Sequence, residues 1–211
     1  MADIKEKLWT ALHYVAKAEA DGQDVGGLAE KELMAGADPH QGDDRGDTPF
    51  NIAAPASPKT GRLMTNHWLA LALAGKGPKG LNDPSGSHGS TLAQYIAKWS
   101  TDDEIEEQIR AGVAKGMIID KANASGWTPL TAASAMGRAK AVEVFAKHYS
   151  PEALAIKTIE SYTADYQGQK VTYPAGLTAR GVAEVRLVQD KNLSAEMRAG
   201  LTLCIKILSG L

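Results

Sequence analysis

The sequence predicts an all-α fold made of stacked helix-turn-helix units, and three observations support this prediction. A motif at 46–54 (GDTPFNIAA) recurs at 126–134 (GWTPLTAAS), and a degraded copy lies at 89–97 (GSTLAQYIA). In two of these units another glycine, Gly36 or Gly116, stands ten residues before the glycine of the motif. Aromatic residues make up only 6% of the chain, which suits thin, closely spaced helices. Repetition of this kind is typical of architectures in which each unit packs on its neighbours.

Each residue type in the shared motif has a physical role at the start of a helix. Glycine permits a tight turn with a positive φ angle. The threonine can cap the helix that follows, and the proline suits its first position, where no backbone N–H donor is needed. Small residues one turn later allow a second helix to approach closely. The segment 33–39 (LMAGADP) reads as the end of a helix with a glycine cap.

These residues resemble ankyrin repeats, whose pattern is an acidic turn, Gly-x-Thr-Pro-Leu-His-x-Ala-Ala, a second helix and Gly-Ala-Asp. The resemblance implies an ankyrin-like solenoid of about four to five units in a single domain over 1–211. It is strong over 33–54 and 113–147 and weak beyond residue 150. The stretch 10–16 (TALHYVA) is interpreted as the first, capping repeat. The expected units are about 1–42, 43–85, 86–122 and 123–149, with a divergent C-terminal cap at 150–211.

Further helices and two insertions follow from the same pattern. Second helices are predicted at 28–34, 62–74, 102–115 and 139–148, another helix from Ser150 to Ile159, and a last helix from Ser194 to Leu208. The segment 54–61 lengthens one hairpin loop. Residues 162–173 alternate around Gly168 and predict a short β-hairpin within an insertion at 162–176. Because loops on a rigid stack often hold binding residues, these insertions are candidates for what distinguishes the protein, and neutral lengthened loops are the alternative.

Composition and charge exclude several classes of function. The formal net charge is −2, so no global electrostatic attraction to nucleic acid or to an anionic membrane is expected. The N-terminus has no apolar signal region, and the longest weakly polar run, 68–74, is too short to span a bilayer. The single cysteine, Cys204, excludes an intrachain disulfide. These features predict a cytoplasmic protein.

Motifs for catalysis and cofactor binding are absent from the sequence. It contains no dinucleotide, Walker-type, zinc-protease or nucleophile-elbow pattern. The segment 75–80 lacks phosphate-loop spacing, and an acidic turn at 43–47 is not followed by the glutamate that a calcium loop needs, since Ala54 stands there. The histidines show no ligand spacing. His13 is expected to bond neighbouring turns, and Cys204 to be a core residue. No cofactor and no metal are predicted.

The ankyrin resemblance also implies where a partner would bind. Turn tips and first helices form the concave face of such a stack, and partners commonly dock there. Trp127 is predicted to point outward as a hot-spot residue, with a side chain folded over the adjacent repeat as the alternative, and Trp99 is treated alike. Trp9 and Trp68 are predicted core residues. The expected contact residues on this face are Asp43, Arg45, Asp47, Ser87, His88, Ser90, Lys98, Trp99, Asn123, Ser125, Trp127 and Met136.

The sequence therefore predicts a non-catalytic protein–protein interaction module. It would be a cytoplasmic, monomeric adaptor, inhibitor or immunity-type protein that binds another protein, with no nucleic-acid or membrane partner. One alternative is a secreted or injected effector that binds a host protein. Another is an enzyme with its site in residues 150–211, using Asp165, Tyr166, Tyr173 and Arg180.

Overall fold

A computed structural model describes residues 10–23, 25, 27–53, 58–166 and 168–211. Over these residues the fold is mostly helical, with eleven helices and one two-stranded antiparallel sheet. The mainly helical prediction is confirmed, and so is the short β-hairpin. No helix in this part of the chain is long and apolar enough to cross a bilayer.

The helices follow one another along the chain, and the hairpin lies between α9 and α10. They are α1 (Ala11–Ala20), α2 (Leu28–Met34), α3 (Pro49–Ala53), α4 (Pro58–Leu73), α5 (Leu92–Trp99), α6 (Ile105–Ala114), α7 (Pro129–Ala135), α8 (Ala139–Ala146), α9 (Pro151–Leu154), α10 (Ala179–Gln189) and α11 (Ala195–Ser209). The hairpin strands β1 (Tyr162–Tyr166) and β2 (Gln169–Tyr173) pair with Tyr162 opposite Tyr173.

The helices pack as consecutive pairs that form two layers. The pairs are α1 with α2, α3 with α4, α5 with α6, α7 with α8, and α10 with α11. In one layer α1 contacts α3, α5 contacts α7 and α7 contacts α10. In the other layer α2 contacts α4, α4 contacts α6, α6 contacts α8 and α8 contacts α11. The first helices α1 and α3 are therefore neighbours, as are α5, α7 and α10, while the second and third pairs meet through α4 and α5.

The repeated motif forms the turns and caps expected from its residue types. Gly46 and Gly126 have φ angles of 79° and 78°, which a side chain at Cβ would disfavour. The Thr128 hydroxyl accepts a hydrogen bond from the Thr131 N–H (3.1 Å), and Pro129 occupies the first turn of α7. These contacts satisfy or remove backbone donors that a helix start leaves unpaired.

One continuous core joins the two layers. It extends from Leu12 in α1, through Trp68 in α4 and Phe145 in α8, to Cys204 in α11. The core positions predicted for Trp68 and Cys204 are confirmed, because both side chains are buried. Trp9 lies outside the described residues.

Several predicted boundaries differ from those in the structure. Helix α4 begins at Pro58 instead of residue 62, since a proline suits the first helical turn; residues 54–57 of the predicted loop lie outside the described part. The helix predicted up to Ile159 is wrong beyond Leu154. The following backbone bonds with other segments instead: the Thr158 N–H donates to the Leu177 carbonyl (2.9 Å), and the Ile159 N–H donates to the Ser125 carbonyl (3.1 Å).

Candidate functional site

A cavity of about 330 Å³ lies between α5, α7, the turn at 85–90 and strand β1. This volume is at the lower end of the range for ligand-binding cavities, roughly 300–1,000 Å³. Eight of the twelve predicted contact residues line it, although they come from separate units of the repeat. These eight are His88, Ser90, Lys98, Trp99, Asn123, Ser125, Trp127 and Met136.

The other four predicted residues do not line the cavity. Arg45 and Ser87 are exposed on their turns. The Asp43 carboxylate accepts hydrogen bonds from the N–H groups of Arg45 and Asp47, both at 2.9 Å. Asp43 therefore serves to close its own turn, and the structure does not bring Asp43, Arg45, Asp47 or Ser87 to the cavity.

Side chains of the first helices tie neighbouring turns together. The His13 Nδ1 accepts a hydrogen bond from the Thr10 N–H (3.1 Å), so Nε2 carries the proton that it donates to the Asp47 carbonyl (2.9 Å). The structural role predicted for His13 is confirmed. Gln94 acts in the same way, because its amide nitrogen donates to the Trp127 carbonyl (2.5 Å). Sequence reasoning missed Gln94, although its position three residues after Thr91 matches that of His13 after Thr10.

The outward orientation predicted for Trp127 is wrong. Only 9% of this residue is exposed, because the hairpin folds over it. The Tyr162 and Tyr173 rings contact the indole nearly at right angles, with centroid separations of 5.5 and 5.4 Å. This edge-to-face geometry is favourable for aromatic pairs. The alternative prediction, a side chain folded over the adjacent repeat, agrees with these contacts, because the hairpin belongs to the next expected unit, 150–211.

Trp99 is also buried rather than exposed. It keeps 5% of its surface and packs on the backbone of α4 at Gly61, where a Cβ atom would lie 2.7 Å from the indole Cδ2. Ser90 and Ser125 are buried as well. Among the predicted residues that line the cavity, the exposed or partly exposed ones are His88, Lys98, Asn123 and Met136.

The remaining walls come from residues outside the twelve predicted contact residues. Tyr95 is buried on α5, and its ring contacts Phe50 at a centroid distance of 4.2 Å. The hairpin contributes the side opposite α5, and its residues lie more than thirty positions after the turns that they cover. The additional lining residues are Phe50, Asn51, Gln94, Tyr95, Ala132, Ala135, Tyr162, Ala164, Asp165 and Tyr166.

The cavity contains one lysine and one carboxylate among its described lining residues, and they are not paired. Lys98 projects from α5 with its Nζ 5.6 Å from the centroid of the Tyr95 ring, and burial lowers the pKa of Lys98 to about 8. The Asp165 carboxylate instead accepts a hydrogen bond from the Gly168 N–H in the hairpin turn (2.7 Å). No ion pair joins Lys98 to a carboxylate of the described residues.

The four polar residues of the enzyme alternative do not converge on one point. Asp165 and Tyr166 line the cavity. Tyr173, the last residue of β2, is buried with its hydroxyl 2.9 Å from that of Tyr166. Arg180 pairs with Glu184 on the exposed side of α10 (2.7 Å). Within the described chain, no group of three or more histidine, cysteine, aspartate or glutamate residues is arranged to hold a metal ion.

No protein-family model matches this chain, and no curated protein matches its sequence.

Proposed function

We propose that the chain is an ankyrin-like solenoid that acts as a non-catalytic protein-binding module. The proposed binding surface comprises the turns and first helices around the cavity, which would form the concave face. In this proposal the protein is a cytoplasmic monomer that acts as an adaptor, inhibitor or immunity-type protein by covering part of another protein.

The ankyrin-like part of the proposal is supported by agreement between the motif and its geometry. The glycines before the Thr-Pro pairs adopt positive φ angles, and each helix that follows packs on helices of neighbouring pairs, α3 on α1 and α7 on α5 and α10. His13 and Gln94 each link one turn to the next. Such links are useful in a stack, because each unit of a solenoid is stabilised mainly by its neighbours.

The observation that favours binding is the convergence of side chains from separate units on one cavity. Residues of the turns at 85–90 and 123–127, of α5 and α7, and of the hairpin meet there. Tyr162 is 40% exposed and Met136 and His88 are accessible beside it. Exposed aromatic residues next to a concave, partly apolar surface are typical centres of protein–protein binding energy.

Site-specific photo-crosslinking tests this proposal. A photoreactive phenylalanine derivative replaces His88 at the cavity in one variant and Lys115, which is exposed at the end of α6 in the other layer, in a second. We expect the variant at position 88 to form a discrete adduct with a protein of the native lysate. Excess wild-type protein should suppress that adduct.

The matched variant decides which surface is used. Adducts only from position 115, or the same adducts from both positions, would remove the cavity side from the proposal. Circular dichroism of both variants verifies that each retains the helical fold, so that loss of an adduct reports the surface and not unfolding.

A further inference from the structure

Lys98 forms no ion pair with a described residue, whereas Arg138 and Arg186, which contact lining residues of the cavity, each form one. The Arg138 guanidinium, which donates to the Lys98 carbonyl (2.9 Å), pairs with Asp102 at 3.3 Å. Arg186, behind the Tyr166 ring, pairs with Asp190 at 3.4 Å. Lys98 has no carboxylate of the described residues within 4.0 Å. The walls of the cavity therefore contain one lysine without a carboxylate at ion-pair distance, because the one carboxylate of the described lining, Asp165, is exposed and accepts a hydrogen bond in the hairpin turn.

This arrangement has an energetic cost that a ligand could remove. Lys98 is partly buried and keeps some contact with solvent, and its Nζ lies over the Tyr95 ring at 5.6 Å from the centroid. Removing an ammonium from water is unfavourable unless an anion or hydrogen-bond acceptors replace the water. The lowered pKa of Lys98, about 8, reflects that burial. An anionic group in the cavity would stabilise the protonated lysine and would itself be bound more tightly there than at the surface.

We propose that the cavity binds a carboxylate from an extended peptide segment of the protein partner, an Asp or Glu side chain, with the Lys98 ammonium as its counter-charge. Tyr162, Tyr166 and Met136 provide apolar contacts for the rest of that side chain and its neighbours. The inference rests on the proposed protein-binding function, because it specifies what part of the partner enters this cavity.

A carboxylate fits the cavity better than a phosphate does. Phosphate groups are usually bound by clustered arginines or by several backbone N–H groups, which offset a charge of about −2. Here a single ammonium is present, and both nearby arginines are already paired. Asn51 offers a further donor: its carbonyl oxygen accepts from the Thr48 N–H and hydroxyl (3.1 and 2.9 Å), which leaves its amide hydrogens for a ligand oxygen.

A selection of displayed random peptides on the full-length protein tests the proposal. We expect the selected peptides to share an Asp or Glu at one fixed position, and the synthetic peptides to compete with crosslinking from position 88. Lys98→Met should weaken their binding at least tenfold, because methionine keeps the apolar stem of the side chain and removes its charge. Lys115→Met is the matched control and should leave the affinity unchanged.

A double-mutant cycle separates direct pairing from a general loss of structure. The acidic residue of the peptide is replaced by its amide, alone and together with Lys98→Met, and the dissociation constants are compared. If the two groups interact, the amide peptide should lose affinity for the wild type and bind Lys98→Met about as well as the acidic peptide does. Additive losses would overturn the pairing, and so would a selection that yields no fixed acidic position or no binding peptide.

The outcomes also separate this inference from the proposed function. Peptides that compete at position 88 but need neither a carboxylate nor Lys98 would overturn the inference and leave the protein-binding function supported. If no peptide is selected and the lysate gives no adduct at position 88, the result would count against the protein-binding function itself.

Discussion

At the scale of single residues, His40 shows how a polar side chain is accommodated between aromatic rings. Its imidazole contacts the Trp68 ring edge-on at a centroid distance of 4.3 Å and lies 5.7 Å from the Phe50 ring. Its Nδ1 and the Ser85 hydroxyl are hydrogen-bonded at 2.8 Å. Burial lowers the pKa of His40 from 6.5 to about 4; the charge of Asp38 opposes this shift, and the charge of Lys79 adds to it. The folded protein therefore holds this histidine neutral where an unfolded chain would protonate it.

A loss of stability in mild acid follows from that pKa. Between pH 6.5 and about 4 the unfolded state binds a proton at His40 that the folded state does not, so the free energy of unfolding falls as the pH falls. For this residue alone the loss from about pH 7 to about pH 5 is on the order of 2 kcal/mol. Urea denaturation of the wild type and of His40→Gln at both pH values measures this loss in the free energy of unfolding. An equal pH dependence in both proteins would contradict the assignment to His40.

The buried ion pair between Arg186 and Asp190 is predicted to matter much more than an exposed pair on the same helix. Both side chains are about 95% buried, and the guanidinium also donates to the Ala135 carbonyl and stacks on Tyr166. Asp190→Ala leaves that cation unpaired and should lower the free energy of unfolding by about 3 kcal/mol. Glu184→Ala breaks the half-exposed pair with Arg180 and should cost less than about 1 kcal/mol. Chemical denaturation measures the free energy of unfolding of both variants. Equal losses for Asp190→Ala and Glu184→Ala would show that burial does not determine the strength of these ion pairs.

At the scale of elements, the contact between α4 and α5 requires a glycine in α4. Alanine normally stabilises a helix relative to glycine by about 1 kcal/mol. A Cβ atom at Gly61, however, would meet the rigid Trp99 ring at 2.7 Å. Overpacking of this kind costs about 1–3 kcal/mol, so Gly61→Ala should be destabilising overall.

Gly181 in α10 is the matched control for Gly61. A Cβ atom there lies 3.2 Å from the end of the Leu177 side chain, which is partly exposed and can move. Gly181→Ala should therefore be neutral or raise stability by up to about 1 kcal/mol. Thermal unfolding of both variants compares them, and a stabilised Gly61→Ala would show that α4 and α5 can separate without cost.

The hairpin shows which part of the site the sequence could predict at the level of elements. Alternation around Gly168 was enough to predict the two strands, because pairing across a short turn is local. Its position over Trp127 depends on packing between segments about 35 residues apart, including the Ile159–Ser125 backbone bond. No local pattern encodes that contact. Trp127 was consequently assigned to the surface, while the hairpin supplied a wall of the cavity that the repeat pattern did not contain.

At the scale of the whole molecule, the repeated sequence motif predicts the helices and many residues of the cavity wall, but it does not predict which of those residues are exposed. The glycine turns and Thr-Pro starts act within a few residues, so the turn and helix predicted at 126–134, and at 46–54 as far as the described residue 53, are correct. Eight contact residues then followed from equivalent positions in successive units. Which of them remain accessible depends on tertiary packing: α4 covers Trp99, and the segment after α9 covers Ser125. Sequence periodicity contains no direct information about such coverage.

The continuous core predicts that the described helices unfold together. Cys204 is the only cysteine of the chain, and it is buried in the same cluster as Leu12, Trp68 and Trp99. The Cys204 thiol is buried, and this burial raises the pKa of Cys204 to about 12. A thiol reagent should therefore react with Cys204 only after α11 is released from the core. Tryptophan fluorescence reports mainly on the first two thirds of the chain, since the tryptophans lie at positions 9, 68, 99 and 127.

Urea denaturation followed by both probes tests this cooperativity. Helices that are stabilised by contacts with their neighbours tend to unfold together. Because α8 and α11 pack closely, the urea transitions followed by thiol labelling and by tryptophan fluorescence should coincide. Brief thiol labelling at each urea concentration, compared with fluorescence on the same samples, measures the two midpoints. Labelling of Cys204 well below the fluorescence midpoint would mean that α10 and α11 detach first. The hairpin would then lose its support on α10, and the cavity would open before the other described helices unfold.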